Sequence, residues 1–268
     1  MIKLENVVLA SPEQMEFIIQ GMRNPMNSWD KSDSNCCAGE GFGQCRECGH
    51  SDRCMYNGDF YLGDSDHSLM QQLSNAGTDH RKFMRMMPVY VRITAPLYWW
   101  KEFDTYKVGT VANGCSTMHK IAAKEFTLDD FSCEHLMDCR WLPMYAPTEY
   151  CFSSIDLLKL EIDVLNRYRE KYIKMIDDAG SYKGMTKKDI WWQMIQLLPS
   201  SYNQTRNVML NYEVLANIYK SRKNHKLDEW RDFCKWIEGL PYGELIVGEN
   251  FNPHNTVVGK RLDAGFTD

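Results

Sequence analysis

Apolar residues in the segment 12–23 fall at Met15, Phe17, Ile18, Ile19 and Met22, a spacing that predicts a helix with Ser11 placed to cap it. Helical spacing returns over 66–76 through Leu69, Met70 and Leu73, and continues over 80–87 with Phe83, Met84 and Met87. The period then changes to two. Val89, Val91 and Ile93 alternate with Tyr90, Arg92 and Thr94, which predicts a half-buried strand ended by Ala95-Pro96. Residues 97–106 are aromatic on several sides and predict a buried helix, with Trp99, Trp100 and Phe103 as core.

The second half carries the longest helical pattern, 155–179, with Leu157, Leu158, Leu160, Ile162, Leu165, Tyr168, Tyr172 and Ile176 set among charges and Gly180 as the stop. Residues 187–198 predict a helix ended before Pro199, 205–210 a short strand, and 212–225 and 228–237 two further helices. Two stretches show no period. The segment from 31 to 63 changes to Ser, Asp, Asn, Gly and Cys and reads as an irregular insertion, bounded at 32–62; residues 249–268 read as a tail. No internal repeat is present, and 268 residues predict one elaborated domain spanning 1–268.

Composition narrows the partners. The chain is 44% hydrophobic and 25% charged, and no apolar run approaches the roughly 20 residues that cross a bilayer. Net charge is −5 with Lys and Arg scattered among acids, so a nucleic-acid partner is not expected. The first nine residues lack the features of a secretory signal, which predicts a cytoplasmic protein. Of the ten cysteines, five fall within 36–54 and five are dispersed (Cys115, Cys133, Cys139, Cys151, Cys234), unlike a secreted disulfide scaffold. Two residues separate Cys45 from Cys48, with His50 and Cys54 after them and Cys36 and Cys37 before. A structural zinc held by Cys36, Cys45, Cys48 and Cys54 would order a stretch that has little to bury. An iron–sulfur cluster, or thiols that bind nothing, are the other readings.

Leu198-Pro199, Thr205, Asn211, Leu215, Tyr219, Arg222 and His225, then a helix opening Asp228-Glu229-Trp230-Arg231, resemble the flavin-dependent thymidylate synthases over roughly 40 residues. His80, the strand from Pro88, Ala95-Pro96 and the polar loop 105–118 extend the resemblance to about half the chain. It implies an α/β (α+β) fold, an antiparallel sheet flanked by long helices, and a homo-oligomer. It also implies conversion of dUMP to dTMP with methylenetetrahydrofolate, FAD and NADPH. Arg222 would be catalytic, holding the uracil ring and stabilising its ionised form. His80, Thr105, Tyr106, Asn211 and His225 would meet the flavin, and Lys107, Cys115 and Ser116 the nucleotide.

The loop also departs from that family. Where the family carries Arg-His-Arg, this chain reads Thr105-Tyr106-Lys107, and the expected Arg and His near Ile195 and Met86 are absent. One lysine replaces a two-pronged guanidinium grip, leaving backbone N–H groups around Gly109 and Gly114 to assist. Asn211 reads equally as a helix cap. Two alternatives therefore stand beside the synthase: a non-catalytic relative that binds a nucleotide or a partner, and a folate-dependent enzyme modifying pyrimidine nucleotides.

Overall fold

A computed structural model describes residues 2–36, 60–138, 153–175 and 185–248. Six strands occur among them: β1 (Lys3–Leu9), β2 (Asn35–Cys36), β3 (Phe60–Tyr61), β4 (Pro88–Pro96), β5 (Val111–Gly114) and β6 (Asn203–Asn211). β1, β4, β6 and β5 lie in that order in one sheet, and the architecture is the predicted mix of helices with an antiparallel sheet. Contacts gather into two compact units, one of residues 1–3, 94–103 and 113–206, the other of residues 4–93, 104–112 and 207–268.

In the larger unit, β4 turns Val89, Val91 and Ile93 inward, each at most 3% exposed, and leaves Tyr90 and Arg92 in solvent, as the period-2 pattern requires. The Pro12–Arg23 helix contributes Met15, Ile18, Ile19 and Met22 to the core. Its start is fixed by a reciprocal cap: Ser11 Oγ accepts from the Gln14 N–H at 3.3 Å, and Gln14 Oε1 accepts from the Ser11 N–H at 2.9 Å. The Tyr212–Arg222 and Asp228–Glu238 helices bury Leu215, Ile218, Trp230, Phe233 and Ile237 completely. At roughly 1.5–3 kcal/mol for each large apolar side chain removed from water, such positions dominate the stability of this unit.

The smaller unit is built on the Ser154–Lys174 and Lys187–Leu197 helices. Leu158, Ile162 and Leu165 recur at helical spacing on one face and pack with Met194, Ile121, Phe126 and Phe131. Both helices begin on a capping box, Ser153 with Asp156 and Thr186 with Asp189, which places an acid in each first turn where the helix dipole favours it. Trp99, Trp100 and Phe103 stack in the Leu97–Phe103 helix and are buried, as predicted.

Several elements depart from expectation. The helical continuation over 80–87 is a 3-10 turn, Lys82–Met86, and the helix predicted to reach 225 ends at Arg222. β1, β5 and the short Glu244–Val247 helix were not predicted. Of the insertion, only its two ends are described. β2 and β3 pair antiparallel, Asn35 with Tyr61 and Cys36 with Phe60. Just beside them the buried Asp66 receives Ser32 Oγ at 2.7 Å, Ser34 Oγ at 2.6 Å and Arg23 Nε at 2.5 Å. Cys45, Cys48 and Cys54, and the 249–268 tail, lie outside the described residues.

Candidate active site

Asn211 is the last residue of β6 and holds an extended backbone as the Tyr212–Arg222 helix begins. Its Oδ1 accepts the Val214 N–H at 3.0 Å, the bond of an N-cap. Of its two readings, capping is the one this geometry realises for the oxygen. The Nδ2 faces a loop: a Cβ built at Gly109 would lie 3.1 Å from it and 3.1 Å from Val214 Cγ2. Gly109 also has φ +77°, so only glycine passes here without strain.

At the other end of that helix, Arg222 Nε donates to Tyr106 Oη at 2.9 Å. The guanidinium carbon sits 4.9 Å from the centre of the Trp230 ring and 5.7 Å from that of Tyr106. Trp230 is fully buried, so this cation–π contact is partly desolvated, where it is worth up to about 2 kcal/mol. His225 stands at the edge of the same indole, 6.3 Å between ring centres, with Nδ1 accepting from the Leu227 N–H at 3.2 Å. Arg231 closes the turn, donating to the carbonyls of His225 at 2.9 Å and Lys226 at 3.0 Å. Tyr106, Arg222 and His225 are thus assembled around Trp230, a residue whose role the helix pattern alone did not indicate.

The other sequence-predicted residues stand differently. Thr105 and Lys107 are exposed next to Tyr106, and Val108 is 92% exposed. His80 lies exposed in the turn after Gly77, its N–H on the Gly77 carbonyl at 3.0 Å. Its neighbour Arg81 is engaged: Nη2 donates to Asn217 Oδ1 at 3.0 Å, and Arg81 and Arg85 flank the carboxylate of Glu213, which is 5% exposed. Sequence reading missed this cluster. Its signal was an acid, Glu213, set between the apolar Tyr212, Val214 and Leu215 in the first turn, a position that burial permits only with a cationic partner.

Cys115 and Ser116 belong to the smaller unit and are exposed. Ser116 Oγ accepts from the His119 N–H at 3.4 Å, and the Cys115 carbonyl accepts from Gln204 Nε2 at 2.9 Å. No three His, Cys, Asp or Glu side chains gather as metal ligands among the described residues, and none of their helices is long and apolar enough to cross a membrane.

No protein-family model and no curated protein matches the sequence. Solved structures do match. A crystal structure of Thymidylate Synthase X (ThyX) from Helicobacter pylori with FAD and dUMP superposes with a TM-score of 0.55, covering 93% of this chain and 98% of that one at 14% identity. The fold is that of ThyX. A second structure of the flavin-dependent thymidylate synthase ThyX from Helicobacter pylori, also complexed with FAD and dUMP, gives 0.53 at 13% identity with the same coverage. The fold match therefore spans nearly the whole chain.

Proposed function

We propose that this chain is a cytoplasmic pyrimidine-nucleotide enzyme of the flavin-dependent thymidylate synthase type, which methylates dUMP to dTMP with methylenetetrahydrofolate and NADPH. One observation carries the proposal: in a chain with the ThyX fold, the arginine matching the family's base-holding residue, Arg222, is fixed by Tyr106 and Trp230. A guanidinium locked in one orientation stabilises negative charge on a uracil carbonyl without reorganising, which is how such a group lowers a barrier. His225, on the turn that follows, is a second polar group for the base.

The residues offered to FAD fit its ring better than its diphosphate. Asn211 Nδ2, Tyr106 Oη, His80 and Thr105 are hydrogen-bonding groups of the kind the ring carbonyls take, whereas the 105–110 loop supplies one cation, Lys107. When bound, the flavin supplies the hydride for the methyl group and is recharged by NADPH. The chain's own part is to orient the base with Arg222, to present Asn211 Nδ2 from a capped helix, and to pass the Gly109 backbone close beside it. In this reading residues 1–268 form one domain in a homo-oligomer, with a zinc on Cys36, Cys45, Cys48 and Cys54 as an accessory.

A second reading is favoured by a specific observation: Asn211 Oδ1 is taken by Val214 and Tyr106 Oη by Arg222. A relative that binds dUMP or a partner protein without flavin follows from that. An absorbance spectrum of the purified protein, repeated after adding FAD and dUMP, separates the two. Bound flavin that bleaches with NADPH supports the synthase; dUMP binding by a protein that ignores FAD supports the second reading.

A further inference from the structure

Beside the base of the insertion, the larger unit carries a cleft of about 380 Å³ lined by Glu16, Ile19, Gln20, Trp29, Ser32 and Ser34. That volume falls within the roughly 300–1,000 Å³ of sites that take small molecules. Glu16 and Gln20 stand four residues apart on the solvent side of the Pro12–Arg23 helix, with the buried Ile19 between them. Trp29 opens the 3-10 turn Trp29–Lys31 and is 51% exposed, a wet position for so large an apolar ring. It is not loose. Its Nε1 donates to Oδ1 of Asn24, the residue that ends the helix bearing Glu16.

The lining is sorted by hydrogen-bonding role. Ser32 Oγ and Ser34 Oγ both direct their protons to Asp66 Oδ2, and Ser34 Oγ also accepts from the Gly63 N–H at 3.0 Å, so either hydroxyl can offer a ligand lone pairs only. The indole N–H is taken by Asn24. Glu16 adds a carboxylate that no other described residue engages, and Gln20 Nε2 is the one side-chain donor left among the six. The two walls share an anchor: Arg23, the last residue of the helix, donates from Nε at 2.5 Å to the same Asp66 carboxylate that fixes both serines. Acceptors preset around an exposed indole match a planar cation, since a guanidinium stacks on an aromatic face and points its N–H groups outward in its own plane. We infer that this cleft binds a guanidinium, with Trp29 against its face and Glu16, Ser32 and Ser34 accepting from its edge. The guanidinium belongs either to a small free guanidino compound or to an arginine of another protein. The inference stands apart from the proposed function, because dUMP, FAD, methylenetetrahydrofolate and NADPH are anions, which a lining of acceptors disfavours.

The full chain is made with 5-fluorotryptophan at its eight tryptophans, and the Trp29 signal is identified in the fluorine NMR spectrum by its absence from W29F. The remaining signals report that the fold is intact. Methylguanidinium is expected to shift the Trp29 signal saturably while the others stay in place. Methylurea, of similar shape without the charge, is expected to leave it unmoved. E16Q, at an exposed position, is expected to keep the other signals and to weaken methylguanidinium about three- to tenfold. A Trp29 signal that methylguanidinium does not move, an equal response to methylurea, or equal affinity in wild type and E16Q overturns the site. Methylammonium bound as tightly as methylguanidinium overturns the choice of a guanidinium. The peptide acetyl-Gly-Arg-Gly-amide separates the two sources: binding tighter than methylguanidinium supports a protein arginine, and binding no tighter supports a free guanidino compound.

Discussion

Arg222 and Tyr106 are 116 residues apart in sequence and joined by one hydrogen bond of 2.9 Å, with the Trp230 ring under the guanidinium. Removing the hydroxyl in Tyr106→Phe deletes the bond and keeps the rings. Because a bond to a charged group contributes about 1.5–3 kcal/mol, dUMP affinity is expected to fall about ten- to hundredfold with little change in melting temperature. Calorimetric titration of dUMP checks it. Affinity equal to the wild type would show that Tyr106 does not position Arg222 for the base.

The two roles of Asn211 are separable by substitution. Serine keeps a cap oxygen and removes Nδ2; alanine removes both. Asn211→Ala is expected to lose about 1 kcal/mol of stability and Asn211→Ser much less, while both lose flavin affinity to a similar extent. Urea denaturation and FAD titration of the two proteins give the pair of numbers. If Asn211→Ser binds FAD like the wild type, the residue is a cap and nothing more.

These cases show what was legible in the chain and what was not. The alternation of Val89, Val91 and Ile93 marked β4 because one face of that strand is packed and the other wet. β5 left no trace, since all four of its residues are exposed and only pairing within the sheet defines it. β1 mixes exposed and half-buried positions without a clean period, and Val8 is 58% exposed. Arg222 was singled out by the family resemblance of the stretch from Leu198 to Arg231, not by any local period. The grouping of Arg81, Arg85 and Asn217 around Glu213, and of Trp100 with Arg206, depends on contacts more than 100 residues apart in sequence, which no local pattern encodes.

Asp66 makes the base of the insertion sensitive to acid. Burial acts to raise its carboxyl, but hydrogen bonds from Ser34, Ser32 and Arg23 outweigh it and hold the group below the usual carboxylate range. The sign follows: a group depressed in the folded state stabilises above its unfolded pKa of about 3.9 and loses that contribution as pH falls through the lower folded value. Thermal melts from pH 6 to pH 2 should therefore show a drop below about pH 4 that is smaller in Asp66→Asn. Arg23→Met, which leaves the buried carboxylate unpaired, should cost about 3–5 kcal/mol at neutral pH. A flat pH profile in the wild type would contradict this.

Cysteine reactivity should follow burial. Burial pushes the Cys234 thiol up to about 11, with the charge of Glu238 adding to it, so it should resist alkylation at pH 8 in the folded protein. Cys115 is exposed and should label first of these two. Site-resolved labelling that finds Cys234 as fast as Cys115 would mean that the Asp228–Glu238 helix does not stay packed.

The claim that this ThyX-fold chain acts on dUMP is tested most directly by incubating the purified protein with dUMP, methylenetetrahydrofolate, FAD and NADPH and measuring dTMP by chromatography. The expected result is dTMP formation that requires all four, and a loss of about 10²–10³ in rate in Arg222→Gln, the scale of one charge-stabilising donor. A folded protein that binds dUMP and makes no dTMP would contradict it and leave the nucleotide-binding relative.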